Sequence, residues 1–143
     1  MCLATWAIGV GSGSLIVRID VRVKRVYEQP EPDDGYRVLV DHVWPRGVSR
    51  ERARIDRWAR ELAPSNDLRK WFAHDPQRFP QFQLRYRQEL ADRRHLIDSL
   101  LDVAREGTVT LVYAARDRQH NNAVVLQATI REAAEPRWGP VDA

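Results

Sequence analysis

The chain has 143 residues, enough for one domain with a real core, and its 43% hydrophobic and 30% charged content is that of an ordinary globular protein. Twenty-three Lys and Arg against twenty Asp and Glu leave a formal charge of +3, too small by itself to argue for nucleic acid. A single cysteine, Cys2, excludes a disulfide framework and a cysteine-based zinc site within this sequence and agrees with a reducing cytoplasm, the expected location.

Lys24 and Lys70 are the only lysines, so the basic side is almost all arginine. Arginine is the better residue for bidentate phosphate or carboxylate recognition, which favours an anionic partner; a GC-rich coding bias explains the same excess. The segment before Arg18 is apolar but broken by Gly9, Gly11 and Gly13 and has no basic start. It is too short and glycine-rich for a membrane span. Residues 1–16 are expected to be a flexible leader or an over-extended translation start, 17–135 the domain, and 136–143 a loose tail.

Val17 to Tyr27 alternates apolar and basic residues, which is strand periodicity. Gln29-Pro-Glu-Pro-Asp-Asp-Gly35 supplies turn residues and marks a loop. Arg37 to Asp41 reads as a second, more continuously apolar strand, as in a sheet covered on both faces. It runs into a rigid turn, Trp44-Pro-Arg-Gly47, after which Ser49 can cap a short helix with Glu51 in its first turn. Ile55 to Leu62 stays open between helix and short strand.

Ala63-Pro-Ser-Asn66 is a second turn, with Ser65 capping a helix that carries Leu68, Trp71 and Phe72. Asp75 before Pro76 is a helix start, a capping carboxylate ahead of proline at the first helical position. Phe79, Phe82, Tyr86 and Leu90 then form a stripe at helical spacing, continued by Ile97, Leu100 and Ala104, in one long helix or two broken near Asp92. Gly107 is expected to end it as a left-handed residue. Thr108 to Ala114 is the most β-prone segment, followed by a polar loop over 116–122 and a last helix over Ala123 to Ala134. Strands separated by helices predict an α/β fold: a single-domain three-layer sandwich with a mainly parallel central sheet and helices on both faces.

That topology brings the loop after Asp41 and the loop holding Arg116 to one edge of the sheet, where ligands of open α/β proteins bind. Asp41 ends a strand where such proteins place an acid, so it is the candidate general acid or base; loop capping is the competing role. Histidine is the residue type suited to acid–base work near neutral pH, but His42 has no partner in the sequence. Trp44 offers a stacking face or a core indole. Arg46, fixed between Pro45 and Gly47, is a pre-positioned guanidinium for an anion or one half of an ion pair with Asp41. In the second loop Arg116, Asp117 and Arg118 precede Asn121 and Asn122, both good capping residues at a helix start that attracts anions. No phosphate loop, dinucleotide fingerprint, nucleophile elbow or zinc-protease motif is present, and the four histidines lack metal-ligand spacing. No metal and no cofactor is therefore expected.

From about Val21 to Ala134 the chain resembles the DUF488 family of bacterial proteins, in its YeaO-like branch. The resemblance rests on Lys24-Arg-Val-Tyr27, Asp34-Gly-Tyr-Arg-Val-Leu-Val-Asp41, Trp44-Pro-Arg-Gly47, Trp58, Glu61-Leu-Ala-Pro-Ser65, Leu68-Arg-Lys-Trp-Phe72, Tyr86, Glu89-Leu90 and Thr110-Leu-Val-Tyr-Ala-Ala115. The branch usually has arginine at the position of His42, and Asn-His-Ala in place of Asn121-Asn122-Ala123. It implies a compact α/β sandwich and a polar pocket around the Trp44 turn, and it implies no established activity.

The functional expectation is a protein that binds, and processes or simply holds, a nucleotide-like or other anionic small molecule. Arg46, Arg116 and the helix start at Asn121 would hold the anion, Trp44 would be the stacking wall, and Asp117 is a further candidate ligand-binding residue. The alternative is a nucleic-acid-binding or regulatory module without catalysis, with Leu68 to Phe72, the His74-Asp75-Pro76 turn and the arginine-rich helix after it as a helix-turn-helix. Neither a membrane partner nor a particular oligomeric state is indicated.

Overall fold

Side chains that alternate between two faces build the sheet. A computed structural model describes residues 19–135. The leader, the tail and the first two residues of the expected first strand, Val17 and Arg18, lie outside the described residues. Four strands, β1 (Val21–Arg25), β2 (Tyr36–Leu39), β3 (Arg57–Trp58) and β4 (Val109–Tyr113), lie in the order β1-β4-β2-β3, every neighbouring pair parallel. Val23, Leu111 and Val38 form one row across the three longer strands. The α/β single-domain expectation holds, with a wholly parallel sheet.

Val21, Val38, Val40, Val109, Leu111 and Tyr113 face the main core. Three helices cover that side: α3 (Phe79–Ala91), α4 (Arg94–Glu106) and α5 (Asn122–Ala134). Phe79, Phe82, Tyr86, Leu90, Ile97, Leu100 and Ala104 are all buried, the stripe expected from the spacing, and Leu126 and Ile130 of the last helix join them. Val26, Leu39 and Val112 point to the other side, where a one-turn helix α1 (Arg50–Ala53) and the indoles of Trp44 and Trp58 cover them. The second layer is thus much thinner than the first. No helix among the described residues is long and apolar enough to cross a membrane.

Local chemistry sets most boundaries. Ser49 Oγ accepts from Arg52 N at 3.1 Å and starts α1. Ser65 Oγ caps α2 (Asn66–Phe72) through Leu68 N at 3.2 Å. Asp75 caps Gln77 N at 3.0 Å, and Pro76 opens a single 3-10 turn that leads into α3. The open segment after Ile55 resolves into the two-residue strand β3 and a 3-10 turn, Arg60–Leu62. The stripe is two helices, parted at Asp92 and Arg93.

Gly107 departs from expectation. Its φ of 179° is extended, which any residue adopts, because α4 must run straight into β4. Gly35 is the glycine that the fold requires: φ is +64°, and a Cβ there would lie 2.3 Å from the carbonyl oxygen of Thr108. Gly35 ends the link between β1 and β2, which contains no α-helix and only the turn Pro32–Asp34.

Candidate functional site

β2 delivers Asp41 to the carboxyl edge of the sheet, and three elements meet on it. Trp58 Nε1 of β3 donates to the Asp41 carbonyl at 2.8 Å, which holds the strand end. Asp41 Oδ2 accepts from Ala114 N at 2.9 Å, just past β4, and Oδ1 accepts from Asn122 Nδ2 at 3.2 Å, at the start of α5. The same Asn122 amide donates to Val40 O at 2.9 Å. Burial pushes the Asp41 carboxyl above its ordinary value, although these two hydrogen bonds and the nearby Arg69 and His74 pull it down.

The turn after Asp41 is braced from both sides. Trp44 Nε1 donates to Val48 O at 2.6 Å, Tyr27 OH donates to Arg46 O at 3.1 Å, and Gly47 takes φ +73°. Trp44 packs edge-on to Trp58 with ring centroids 5.4 Å apart, and the Arg50 guanidinium covers it at 4.6 Å.

The β4 loop folds around Asp117. Its Oδ1 accepts from Gln119 N at 2.9 Å and His120 N at 3.0 Å, while Oδ2 meets His120 Nδ1 at 2.8 Å. Hydrogen bonds from Gln119 and then His120 hold the Asp117 carboxyl below its ordinary value. Asn121 is buried, caps Val124 N at 3.0 Å and donates to Asp117 O at 2.9 Å. Arg25 Nε reaches Ala115 O at 2.9 Å, and Arg118 pairs with Glu28 at 2.6 Å.

A third wall comes from α2 and the turn after it. Ser65 Oγ donates to Glu89 Oε2 at 2.6 Å and Ser65 N to Glu89 Oε1 at 2.8 Å, which brackets α2 onto α3. Ala73 and His74 are both left-handed, at φ 49° and 57°, a conformation costing on the order of 1 kcal/mol or more per non-glycine residue. This turn sets His74 on the rim.

Together these walls enclose a cleft of about 850 Å³. Its floor is apolar, from Pro64, Phe72, Phe82 and Ala114, with Phe72 and Phe82 stacked at 4.3 Å. Asp41, Trp44, Arg116, Asp117 and Asn121 line it, so two loops far apart in sequence line one cleft. Arg46 does not: its side chain is exposed and outside the lining. Arg69, Lys70 and His74 line the cleft and were missed from sequence. The Arg-Lys pair beside a capped helix was the only signal, and nothing local said which strand end that helix covers.

The arginine-rich helix read above as part of a helix-turn-helix is largely engaged within the protein. Arg78 and Arg85 lie over Trp71 at 5.4 and 4.4 Å, Arg87 pairs with Glu132 at 2.8 Å, and Arg94 with Asp98 at 3.0 Å. Among the described residues no group of three or more His, Cys, Asp or Glu side chains is placed to hold a metal ion.

Comparison with known proteins places this cleft in a family. Residues 20–140 match the family model described as the inactive DUF488-N3 subclade. The uncharacterized protein Rv3073c of Mycobacterium tuberculosis is 44% identical over 106 residues, covering 74% of this chain and 89% of the relative. The uncharacterized protein YeaO of Escherichia coli is 37% identical over 113 residues, covering 79% and 98%. No solved structure matches the chain. The family match runs over residues 20–140, across the whole sheet and every wall of the cleft, and two relatives above 30% identity cover most of the chain: the chain belongs to the DUF488 family.

Proposed function

We propose that the chain binds a nucleotide-like anionic molecule in the strand-end cleft and holds it without turning it over. One observation carries this reading. Arg69, Lys70 and Arg116 line the cleft, and among the described residues none has a carboxylate within 4.0 Å, unlike most cations of the helical face. The carboxylate of Asp117 is occupied by its own loop and His120 and makes no ion pair with them among the described residues. Three cations without an ion pair among the described residues, of which Arg69 donates to the neutral Asn66 side chain, suit a ligand with an anionic end and a flat body beside the apolar lining. Trp44 forms the side wall for that body.

Holding rather than turnover follows from the state of Asp41. Both its oxygens accept hydrogen bonds, and its side-chain partner, Asn122, is an amide that neither gives nor takes a proton near neutral pH. Histidine, the residue usual at that position in the branch, would do both. The matched subclade is also the one described as inactive.

A thermal-shift panel of nucleotides, bases and phosphorylated metabolites tests the reading on wild type, Arg116→Ala and Lys70→Ala. Both side chains are exposed and make no hydrogen bond among those described, so the variants should fold. A ligand at a hundred times its dissociation constant should stabilise wild type by about 2.7 kcal/mol, a shift of several degrees. The shift should shrink in both variants, and the ligand should be recovered intact after incubation. A blank panel, or a shift untouched by both substitutions, would reject the site; conversion of the ligand would reject holding without turnover.

A further inference from the structure

Residues 46–60 carry six arginines, Arg46, Arg50, Arg52, Arg54, Arg57 and Arg60, against Glu51 and Asp56. That is a larger positive excess than the whole chain has, so the remainder is slightly acidic. Asp56 is already engaged, its Oδ2 accepting from Arg37 N at 2.8 Å. Among the described residues none of the six arginines has a carboxylate within 4.0 Å, whereas Arg87, Arg94 and Arg105 on the helical face each hold one. Five of the six are exposed. Like charges crowded on one edge repel, and a fold that leaves them unpaired invites a polyanion.

The patch is also ordered, and it begins at the cleft. Arg50 lies 4.6 Å over Trp44, Trp44 is 5.4 Å from Trp58, and Arg60 lies 4.6 Å over Trp58. This gives a ladder of guanidinium, indole, indole and guanidinium along the edge strand β3. Its first indole is the cleft wall itself. One small anion in the cleft would leave these arginines unanswered. A chain of regularly spaced phosphates would answer them.

We infer that the nucleotide bound in the cleft is one unit of a single-stranded nucleic acid whose neighbouring phosphates lie along the arginine edge formed by residues 46–60. The inference rests on the reading of the cleft as a nucleotide site. Single-stranded is specified because a cleft of about 850 Å³ enclosing one nucleotide requires that its base be unpaired. Arg87, Arg94 and Arg105 of the helical face, already neutralised by carboxylates, take no part.

The test is fluorescence anisotropy of a labelled mixed-sequence single-stranded 12-mer across a salt series. Proteins are wild type, Arg50→Ala/Arg60→Ala, Arg46→Ala/Arg52→Ala, and Arg105→Ala as a control on the far helix. The second double variant removes no stacked guanidinium and so guards against a folding defect in the first. Wild type should bind with affinity falling steeply as salt rises. Each double variant should lose at least about tenfold at about 50 mM salt and lower the log-log salt slope by about 1.4, two phosphate contacts at roughly 0.7 each. Arg105→Ala should match wild type, and both double variants should keep the mononucleotide thermal shift. Unaltered oligonucleotide binding in both double variants, equal or tighter binding of the same 12-mer annealed to its complement, or no binding at low salt would overturn the inference. A mononucleotide shift with no strand binding leaves the cleft reading standing; absence of both removes the two together.

Discussion

Asp41 has two structural partners and one electrostatic handicap. Burial raises its carboxyl, the hydrogen bonds from Ala114 and Asn122 lower it, and the balance is upward. The folded protein therefore holds that proton more tightly than the unfolded chain, whose aspartate titrates near its ordinary value, about 3.9. Between those two values the folded state binds more protons, so the contribution of Asp41 to stability falls as pH rises through the window and is flat above it. Asp34 acts in the opposite sense: burial alone would raise it, but the Glu31 N–H, Lys24 and Arg37 hold it below its ordinary value, so its contribution is lost on acidification. The two are separated by a difference curve. Urea midpoints of wild type and Asp41→Asn, measured from pH 4 upward, should differ by a term that declines with pH, superimposed on a loss of about 1–3 kcal/mol for the donor left facing a donor. A pH-independent difference would show that Asp41 is ionised at its ordinary value. Asp41 was legible because an apolar run ends on it and parallel topology sets it beside the β4 loop. The direction of Arg46 was not, since the braced turn between Pro45 and Gly47 decides it.

At the scale of elements, α2 is the wall that depends most on its tertiary contacts. It carries Arg69 and Lys70 into the cleft, yet it is only seven residues long and too short to be stable by itself. Leu68 and Phe72 bury one face, and the bracket from Ser65 to Glu89 fixes the other end to α3. Ser65→Ala removes the cap and the hydroxyl half of the bracket together. The cap alone is worth about 1 kcal/mol, so a loss of about 1–2 kcal/mol in global stability is expected. Amide exchange should accelerate selectively over 66–72, and ligand affinity should fall because two cations ride on this helix. Uniform protection across the chain would mean the bracket is ornamental. The sequence announced the cap, since Ser65 precedes an acidic first turn. It could not announce the destination, because capping chemistry fixes where a helix begins and is silent on which strand end it covers. The same limit explains Ile55 to Leu62, where spacing suited a helix but two residues beside β2 became a strand.

The whole molecule depends on a device remote from the cleft. Parallel strands usually need a helix in the crossover, but the β1–β2 link has only a 3-10 turn and must still reach past β4, which lies between them. A buried polar cluster holds it. Asp34 accepts from Arg37 Nη1 at 2.6 Å, from Lys24 Nζ at 3.1 Å and from the Glu31 N–H at 3.0 Å, and its carbonyl accepts from Thr110 Oγ1 at 2.7 Å. Arg37 then donates to the Ala53 carbonyl at 2.8 and 3.0 Å, so one network ties β1, the link, β2, β4 and α1. This is why the charged residues Asp34 and Arg37 are structural. Arg37 is 3% exposed, so Asp34→Ala would strand a guanidinium with no acid in reach. Breaking one side of such a buried pair costs about 3–5 kcal/mol, which for a domain of this size lowers Tm by on the order of 10 °C. The double variant Asp34→Leu/Arg37→Met should recover much of that loss, because an apolar replacement of both partners leaves nothing unpaired. Differential scanning calorimetry of wild type, single and double variants completes the test. A double variant as unstable as Asp34→Ala would mean that the backbone bonds of the link, not the charge pair, hold β1 and β2 on either side of β4.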